Sequence, residues 1–322
     1  MTGFLLRRLG ASLLVVVGGS ILVFGALRAI PGDPIQLMLG TQGVTNPELV
    51  ARYTERFGLD LPAPVQYLYW VGQLVRGDLG DSIVQPQSVG DFMRMRAINT
   101  AVLGATAWVI AVLGGTGIGV VAALLVHRRM WVADYALSGF SVVMISIPSF
   151  SLALILMIIF GVNLGWLPVL GMQSVEDSGL LDRLRHLVLP AVTLATVPGF
   201  VLGRIVKAAI TDALLGDYAR TAYAKGLSER RVFLVHVLRN AMVPIVTNTG
   251  LMFGGFLSGS VLVEFMFAWP GLGRGLVNAI LARDFPIVQG ITLLILVIFT
   301  VVNFLVDLSY GLIDPRIRYA RA

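Results

Sequence analysis

Six stretches of this 322-residue chain carry no Asp, Glu, Lys or Arg, and they dictate what it can become: 9–27, 97–126, 135–175, 186–203, 240–263 and 285–306. Each reaches, or nearly reaches, the roughly 20 residues that a helix needs to cross the hydrocarbon of a bilayer. Within lipid, a helix bonds its own backbone N–H and C=O groups and leaves none stranded. The run 135–175 is long enough for one span and an uncharged loop, but too short for two spans and a turn. The expected fold is therefore an all-α integral membrane protein with six transmembrane helices.

Basic residues set the expected orientation. With the N-terminus inside, the inner segments are 1–8, 127–134, 204–239 and 307–322, and they hold 14 of the 24 basic residues against six acids. The outer segments hold the other 10 against 12 acids. That bias matches the positive-inside rule and predicts both termini in the cytoplasm. The isoelectric point near 10.0 thus reports topology, and no basic cluster interleaved with aromatics suggests nucleic acid. A composition 57% hydrophobic and 13% charged, with mean hydropathy +0.85, agrees with a lipid environment. Arg7-Arg8 before the first run resembles a signal peptide, but the run is 19 residues long and no A-x-A-like site follows, so an uncleaved span is expected. With no cysteine there is no disulfide framework, thiolate metal site or Cys nucleophile.

The connections are uneven. Residues 31–98 form an outer segment too long for a plain connector, with helices expected over 47–57 and 64–75 and a turn at 77–82. It reads as a small external subdomain lying on the outer leaflet. A second outer loop covers 162–186. A third, 264–286, turns sharply at Trp269-Pro270-Gly271 before a short amphipathic helix. The expected division is 1–98 for the first span with its external subdomain, 99–315 for the helical membrane core, and 316–322 for a cytoplasmic tail.

The apolar runs also exclude chemistry. Carriers driven by ions or protons need buried carboxylates or histidines near the midplane, and the six runs hold no carboxylate. A pathway through them would be lined by mildly polar groups: Ser141, Ser146, Ser149, Thr193, Thr196, Asn248, Ser258 and Asn303. Pro148, Pro190, Pro198 and Pro244 would kink spans. Of these, Ser146, Pro148, Ser149, Asn248 and Ser258 are the candidates for the pathway itself. His127, His186 and His236 are not expected to converge, so no catalytic, cofactor-binding or metal residues are expected. The two lysines, Lys207 and Lys225, are not preceded by glycine, so the chain has no phosphate-cradling loop of the G-x-x-x-x-G-K-[ST] kind. Uphill transport would take its energy from another subunit.

One segment supplies a place for such a subunit. Asp217–Pro244 is a charged island between apolar runs. It reads as a short helix, a break at Gly226, and a second helix started by Ser228 and Glu229. Ala219, Ala222 and Gly226 share one face, expected to let another protein approach the backbone closely.

The island resembles the coupling segment of binding-protein-dependent ABC importers, E-A-A-x-x-x-G followed after nine residues by I-x-L-P. Arg220-Thr221-Ala222 and Gly226 fit the first half and His236–Arg239 takes the second place, with Arg220, His236 and Arg239 departing from the pattern. Over nearly the whole chain the sequence is similar to the peptide and nickel permease branch. The blocks that carry this are Tyr218–Ala222, Ala224-Lys225-Gly226-Leu227-Ser228, Leu238–Ala241, Phe267–Gly273, Pro31–Pro34, Gly77–Gly80, Ser146–Phe150, Leu164–Pro168 and Asp314–Arg318. The resemblance implies the first of two paired permeases, in a heterodimer with a second six-helix permease. It also implies two cytoplasmic ATPases that hold ATP and Mg, and an extracytoplasmic binding protein. Asp217, Tyr218, Ala219, Arg220, Thr221, Ala222, Ala224, Lys225, Gly226, Leu227 and Ser228 would couple to the ATPase. Glu264, Phe267, Trp269, Pro270 and Gly271 would meet the binding protein at an outer gate. Peptide is the expected cargo, with nickel chelate, glutathione or haem as alternatives on the same architecture. A secondary carrier or channel is the distant alternative.

Overall fold

A computed structural model describes residues 2–29, 47–57, 60–175 and 179–313. The blocks Pro31–Pro34 and Asp314–Arg318 and the tail 316–322 lie outside the described residues. Helices account for almost all regular structure: α1 Thr2–Arg28, α2 Pro47–Phe57, α3 Ala63–Val75, α4 Val89–His127, α5 Trp131–Ser146, α6 Ser149–Leu156, α7 Leu180–Leu215, α8 Asp217–Ala224, α9 Glu229–Arg231, α10 Leu238–Met266, α11 Leu272–Leu281 and α12 Phe285–Ile313. π-helical turns Met157–Asn163 and Val232–Val237 extend α6 and join α9 to α10.

Five helical stretches are long and apolar enough to cross a membrane: Leu6–Arg28, Val89–His127, Leu180–Leu215, Glu229–Phe256 and Phe285–Val306. The run 135–175 behaves differently. Its two limbs, Trp131–Ser146 and Ser149–Asn163, meet at an angle of 103°. The cause is local. Pro148 has no N–H and its ring drives the preceding residue out of the helical region, so Ile147 sits at φ −74°, ψ 122°. Pro148 is itself extended and its carbonyl receives the Leu152 N–H at 3.0 Å, starting α6 afresh. Helix α7 also outruns expectation. It starts six residues before the charge-free run and ends twelve after it, with Pro190 and Pro198 inside.

The chain divides into two compact units. The first joins residues 1–100 to 270–322. In it α1 packs along α12, where Gly19 admits the Leu296 side chain. Val89, Phe92 and Met93 at the start of α4 bury against Leu272, Ala279, Ile287, Val288 and Ile291 of α11 and α12. Asp284 accepts hydrogen bonds from Ser82 Oγ and from the Ile83 N–H at 3.3 Å, tying the turn after α3 to the start of α12. Asn99 Nδ2 donates to the Pro270 carbonyl at 2.9 Å, and the Leu272 N–H donates to Thr100 Oγ1 at 2.8 Å.

The second unit, residues 101–269, is built around α7. On one side Ala111, Gly115 and Gly119 of α4 face Gly199 and Gly203 of α7 so closely that a Cβ on Gly115 would lie 2.4 Å from the Gly199 carbonyl oxygen. Small residues at four-residue spacing on both helices bring the backbones together, which is how packing holds helices in lipid where no hydrophobic drive exists. Elsewhere Phe140 of α5 meets Phe200 edge-on. Trp108 of α4 donates its indole N–H to the Thr249 carbonyl of α10 at 2.9 Å.

Candidate functional site

The island at 217–239 folds as three pieces with separable causes. Gly216, extended at φ −66°, ψ 148°, stops α7, and Asp217 places its carboxylate in the first turn of α8, where the helix dipole favours it. Gly226 takes φ +76° and ends α8. Its N–H bonds the Tyr223 carbonyl at 2.9 Å and the Leu227 N–H bonds the Ala222 carbonyl at 3.3 Å, the paired closure that a glycine in the left-handed region permits. Ser228 stands at the cap position of α9 with extended backbone, but its hydroxyl makes no capping bond. Glu229 instead reaches His127 Nε2 at 3.4 Å, on the last turn of α4.

The small-residue face corrects the sequence expectation. Ala219 and Ala222 are buried in this chain's own core, against Val206, Ile210, Val232 and Val237. They seat α8 on its own bundle, so the small residues serve an internal contact. What α8 turns outward is Asp217, Tyr218, Arg220, Thr221, Tyr223, Ala224 and Lys225, with Gly226 and Ser228 following. Leu227 is half-buried beneath them. The Asp217–Arg220 pair spans 3.9 Å with both side chains in solvent, a contact of small energetic weight. Partial burial, and then the charge on Glu229, push the Tyr223 phenol above its ordinary range.

The outer residues are placed differently from expectation as well. Glu264, Phe267, Trp269 and Gly271 are buried and Pro270 is half-buried, so their side chains are spent inside the protein. Phe267 and Trp269 close the apolar core of the second unit with Leu103, Leu187 and Phe256, and the Phe267 carbonyl receives the Gly171 N–H at 2.8 Å. Glu264 is a fully buried carboxylate that accepts from Ser260 Oγ at 2.9 Å. Among the pathway candidates, Ser146 and Pro148 are exposed at the bend and Ser149 is half-buried. Ser146 Oγ bonds the Val142 carbonyl at 2.9 Å and Asn248 Nδ2 the Pro244 carbonyl at 2.8 Å, each within its own helix. The side chain of Ser258 lies outside the described residues.

The histidines occupy separate places: His127 on Glu229, and a buried His186 with Nδ1 2.9 Å from the Asp182 carbonyl. Asp182 in turn accepts from the Ser174 N–H at 2.6 Å and Ser174 Oγ at 2.8 Å, fastening the loop before α7 to its first turn. Among the charged contacts that sequence reasoning did not foresee, one is largely buried. Lys207 of α7 donates to Asp134 of α5 and lies 3.1 Å from Ser138 Oγ. Both charges sit just outside the charge-free runs, and the rarity of lysine was the one available hint.

A set of apolar helices long enough to cross a membrane, with a short glycine-closed helix on a charged connection, is the build of a multi-pass membrane protein, and comparison with known proteins gives its class. Residues 115–319 match the family of binding-protein-dependent transport system inner membrane components, and residues 1–88 match the N-terminal model of the same membrane component. The chain is 40% identical to the di/tripeptide transport system permease protein DppB of Pseudomonas aeruginosa, with both chains covered in full. It is 37% identical to the oligopeptide transport system permease protein AppB of Bacillus subtilis, over 99% of this chain and 100% of the other. It is 39% identical to the glutathione transport system permease protein GsiC of Salmonella choleraesuis at the same coverage. A crystal structure of an amino acid ABC transporter with histidines shares the fold at TM-score 0.53 and 18% identity, over 68% of this chain and 93% of that one. The chain belongs to the family of binding-protein-dependent inner membrane components, and is a multi-pass, non-catalytic permease subunit of an importer.

Proposed function

We propose that this chain is the first of two paired permeases that carry peptides inward from an extracytoplasmic binding protein. It crosses the membrane six times with both termini inside, the bent pair α5–α6 forming one broken span. Its three parts are 1–98 with the external segment, the permease core 99–315, and a short cytoplasmic tail 316–322. A second six-helix permease completes the path. Two cytoplasmic ATPases hold ATP and Mg and grip α8 through Tyr218, Arg220, Thr221, Ala224 and Lys225. Closure of the ATPases on ATP moves α8, and with it α7, to which Gly216 joins it directly. Ser146, Pro148 and Ser149 at the bend, and Asn248 on α10, line the path. The outer connection around 264–286 meets the binding protein through its exposed residues, held in place by Glu264, Phe267, Trp269, Pro270 and Gly271.

The observation that carries this reading is α8 itself, a helix of 8 residues closed by glycine at +76° and exposed along one polar face. Peptide is the cargo named by two of the full-length relatives. Glutathione is the second reading, favoured by the 39% identical relative, and it is itself a small peptide. The test is purification of the chain with its partners in mild detergent, followed by ATP-dependent uptake of labelled dipeptide and of glutathione in proteoliposomes. A second permease, two ATPases and dipeptide uptake support the proposal. Recovery of the chain without nucleotide-binding partners overturns it in favour of a carrier or channel.

A further inference from the structure

Helix α3 has the composition of a span at about two thirds of the length. Across its 13 residues only Gln66 and Gln73 carry polar side-chain groups besides the Tyr67 and Tyr69 hydroxyls and the Trp70 indole N–H. At 1.5 Å per residue it is about 20 Å long, short of the roughly 30 Å of bilayer hydrocarbon. A helix that is apolar around its circumference must be covered on all sides.

One side is covered by α1. Arg28 Nη2 donates to Gln66 Oε1, and the Tyr67 hydroxyl and Ser20 Oγ lie 2.8 Å apart. The rings of Tyr67 and Trp70 sit 5.5 and 5.9 Å from that of Phe24. The other side is bare. Val65, Leu68, Tyr69, Gly72 and Val75 are all exposed, and their spacing of three and four puts them on one stripe. Leu68 is 66% exposed and Val75 84%.

The contacts also say at what depth this stripe lies. They fall on α1 between Ser20 and Arg28 and centre on Phe24, one helical turn, about 6 Å, inward from the last charge of α1. Arg28 marks where α1 leaves the hydrocarbon, so α3 crosses below that level. Charge returns only at the two ends of α3, with Asp60 before it and Arg76 and Asp78 after it. At Tyr69 the stripe borders a shallow cavity shared with Ala51, Thr54 and Glu55 of α2. We infer that α3 is embedded in the outer leaflet with its Val65–Leu68–Val75 stripe among the lipid acyl chains, a lipid-facing anchor for the external segment. This depth is the 5–10 Å at which an interfacial helix buries its apolar face. The inference rests on the orientation proposed above, in which Arg28 ends α1 at the outer face.

The test uses the absence of cysteine in the chain. Leu68→Cys and Val75→Cys are spin-labelled in the assembled transporter, with cysteine-free partner subunits, in phosphatidylethanolamine–phosphatidylglycerol vesicles, and Asp60→Cys serves as the aqueous reference. Relaxation by dissolved oxygen several-fold stronger than by a water-soluble nickel chelate at 68 and 75, reversed at 60, is the expected result. Stronger relaxation by the nickel chelate at 68 and 75 places α3 in water and overturns the inference. Weak relaxation by both overturns it too, because a protein partner then covers the stripe. Peptide uptake by the same vesicles is read separately, so its loss beside oxygen-accessible labels counts against the importer and leaves the lipid anchor standing.

Discussion

Lys207 and Asp134 are 73 positions apart in sequence, yet the ammonium of one rests on the carboxylate of the other, with Ser138 Oγ 3.1 Å from the same nitrogen. The Asp134 side chain is 8% exposed and that of Lys207 25%. The pair joins α7, which leads into α8, to the first limb of the bent span.

Removing either partner leaves a charge in a poorly hydrated place. Asp134→Ala or Lys207→Met is expected to cost about 3 kcal/mol, the lower end for a broken buried pair because Lys207 keeps some solvent. Replacing both with Leu and Met is expected to cost much less than the two single changes together. Thermal unfolding in detergent gives the comparison, and additive losses would falsify a coupled pair.

Neighbouring glycines of α4 should behave in opposite ways. Gly115→Ala drives a methyl to 2.4 Å from the Gly199 carbonyl oxygen, and such overpacking costs about 1–3 kcal/mol. Gly114 and Gly117 have nothing within 4 Å of a Cβ, so alanine there is expected to gain up to about 1 kcal/mol from helix propensity. Melting temperatures of the three variants, measured side by side, should separate in sign. Equal effects would mean that α4 and α7 do not approach through these backbones.

The two faces of α8 predict two different failures. Ala222→Leu overfills a buried contact and should lower stability by about 1–3 kcal/mol. Ala224→Trp adds bulk to the exposed face, so it should leave the melting temperature unchanged while the ATPase subunits no longer co-purify. Stable ATPase association with Trp at 224 removes this face from the proposed contact.

Asp284 is the acceptor that holds the turn after α3. Asp284→Ala takes the acceptor from the Ser82 O–H and the Ile83 N–H, a loss of about 1.5–3 kcal/mol for bonds to a charged group. Amide exchange across 82–88 should accelerate in that variant while exchange in α7 stays as it is. An unchanged rate at 82–88 shows that other contacts hold the turn.

Read alone, the sequence determined what depends on local composition and period. The apolar runs at 9–27, 97–126, 186–203, 240–263 and 285–306 all fall in helices long enough to cross, and the helical stretches 47–57 and 64–75 appear within a residue of their expected bounds. The break at Gly226 was legible because only the backbone's handedness decides it. Tertiary structure decided the rest. Ala219 and Ala222 share a face by helical period alone, but packing chose whether that face turned inward or out. Glu264 lies near the end of an apolar run, and nothing in its neighbours announces that it is fully buried. The turn of 103° at Pro148 needed a direction as well as a proline. The Asp134–Lys207 pair is invisible in one dimension, because attraction between charges acts through space and depends on which helices packing brings together.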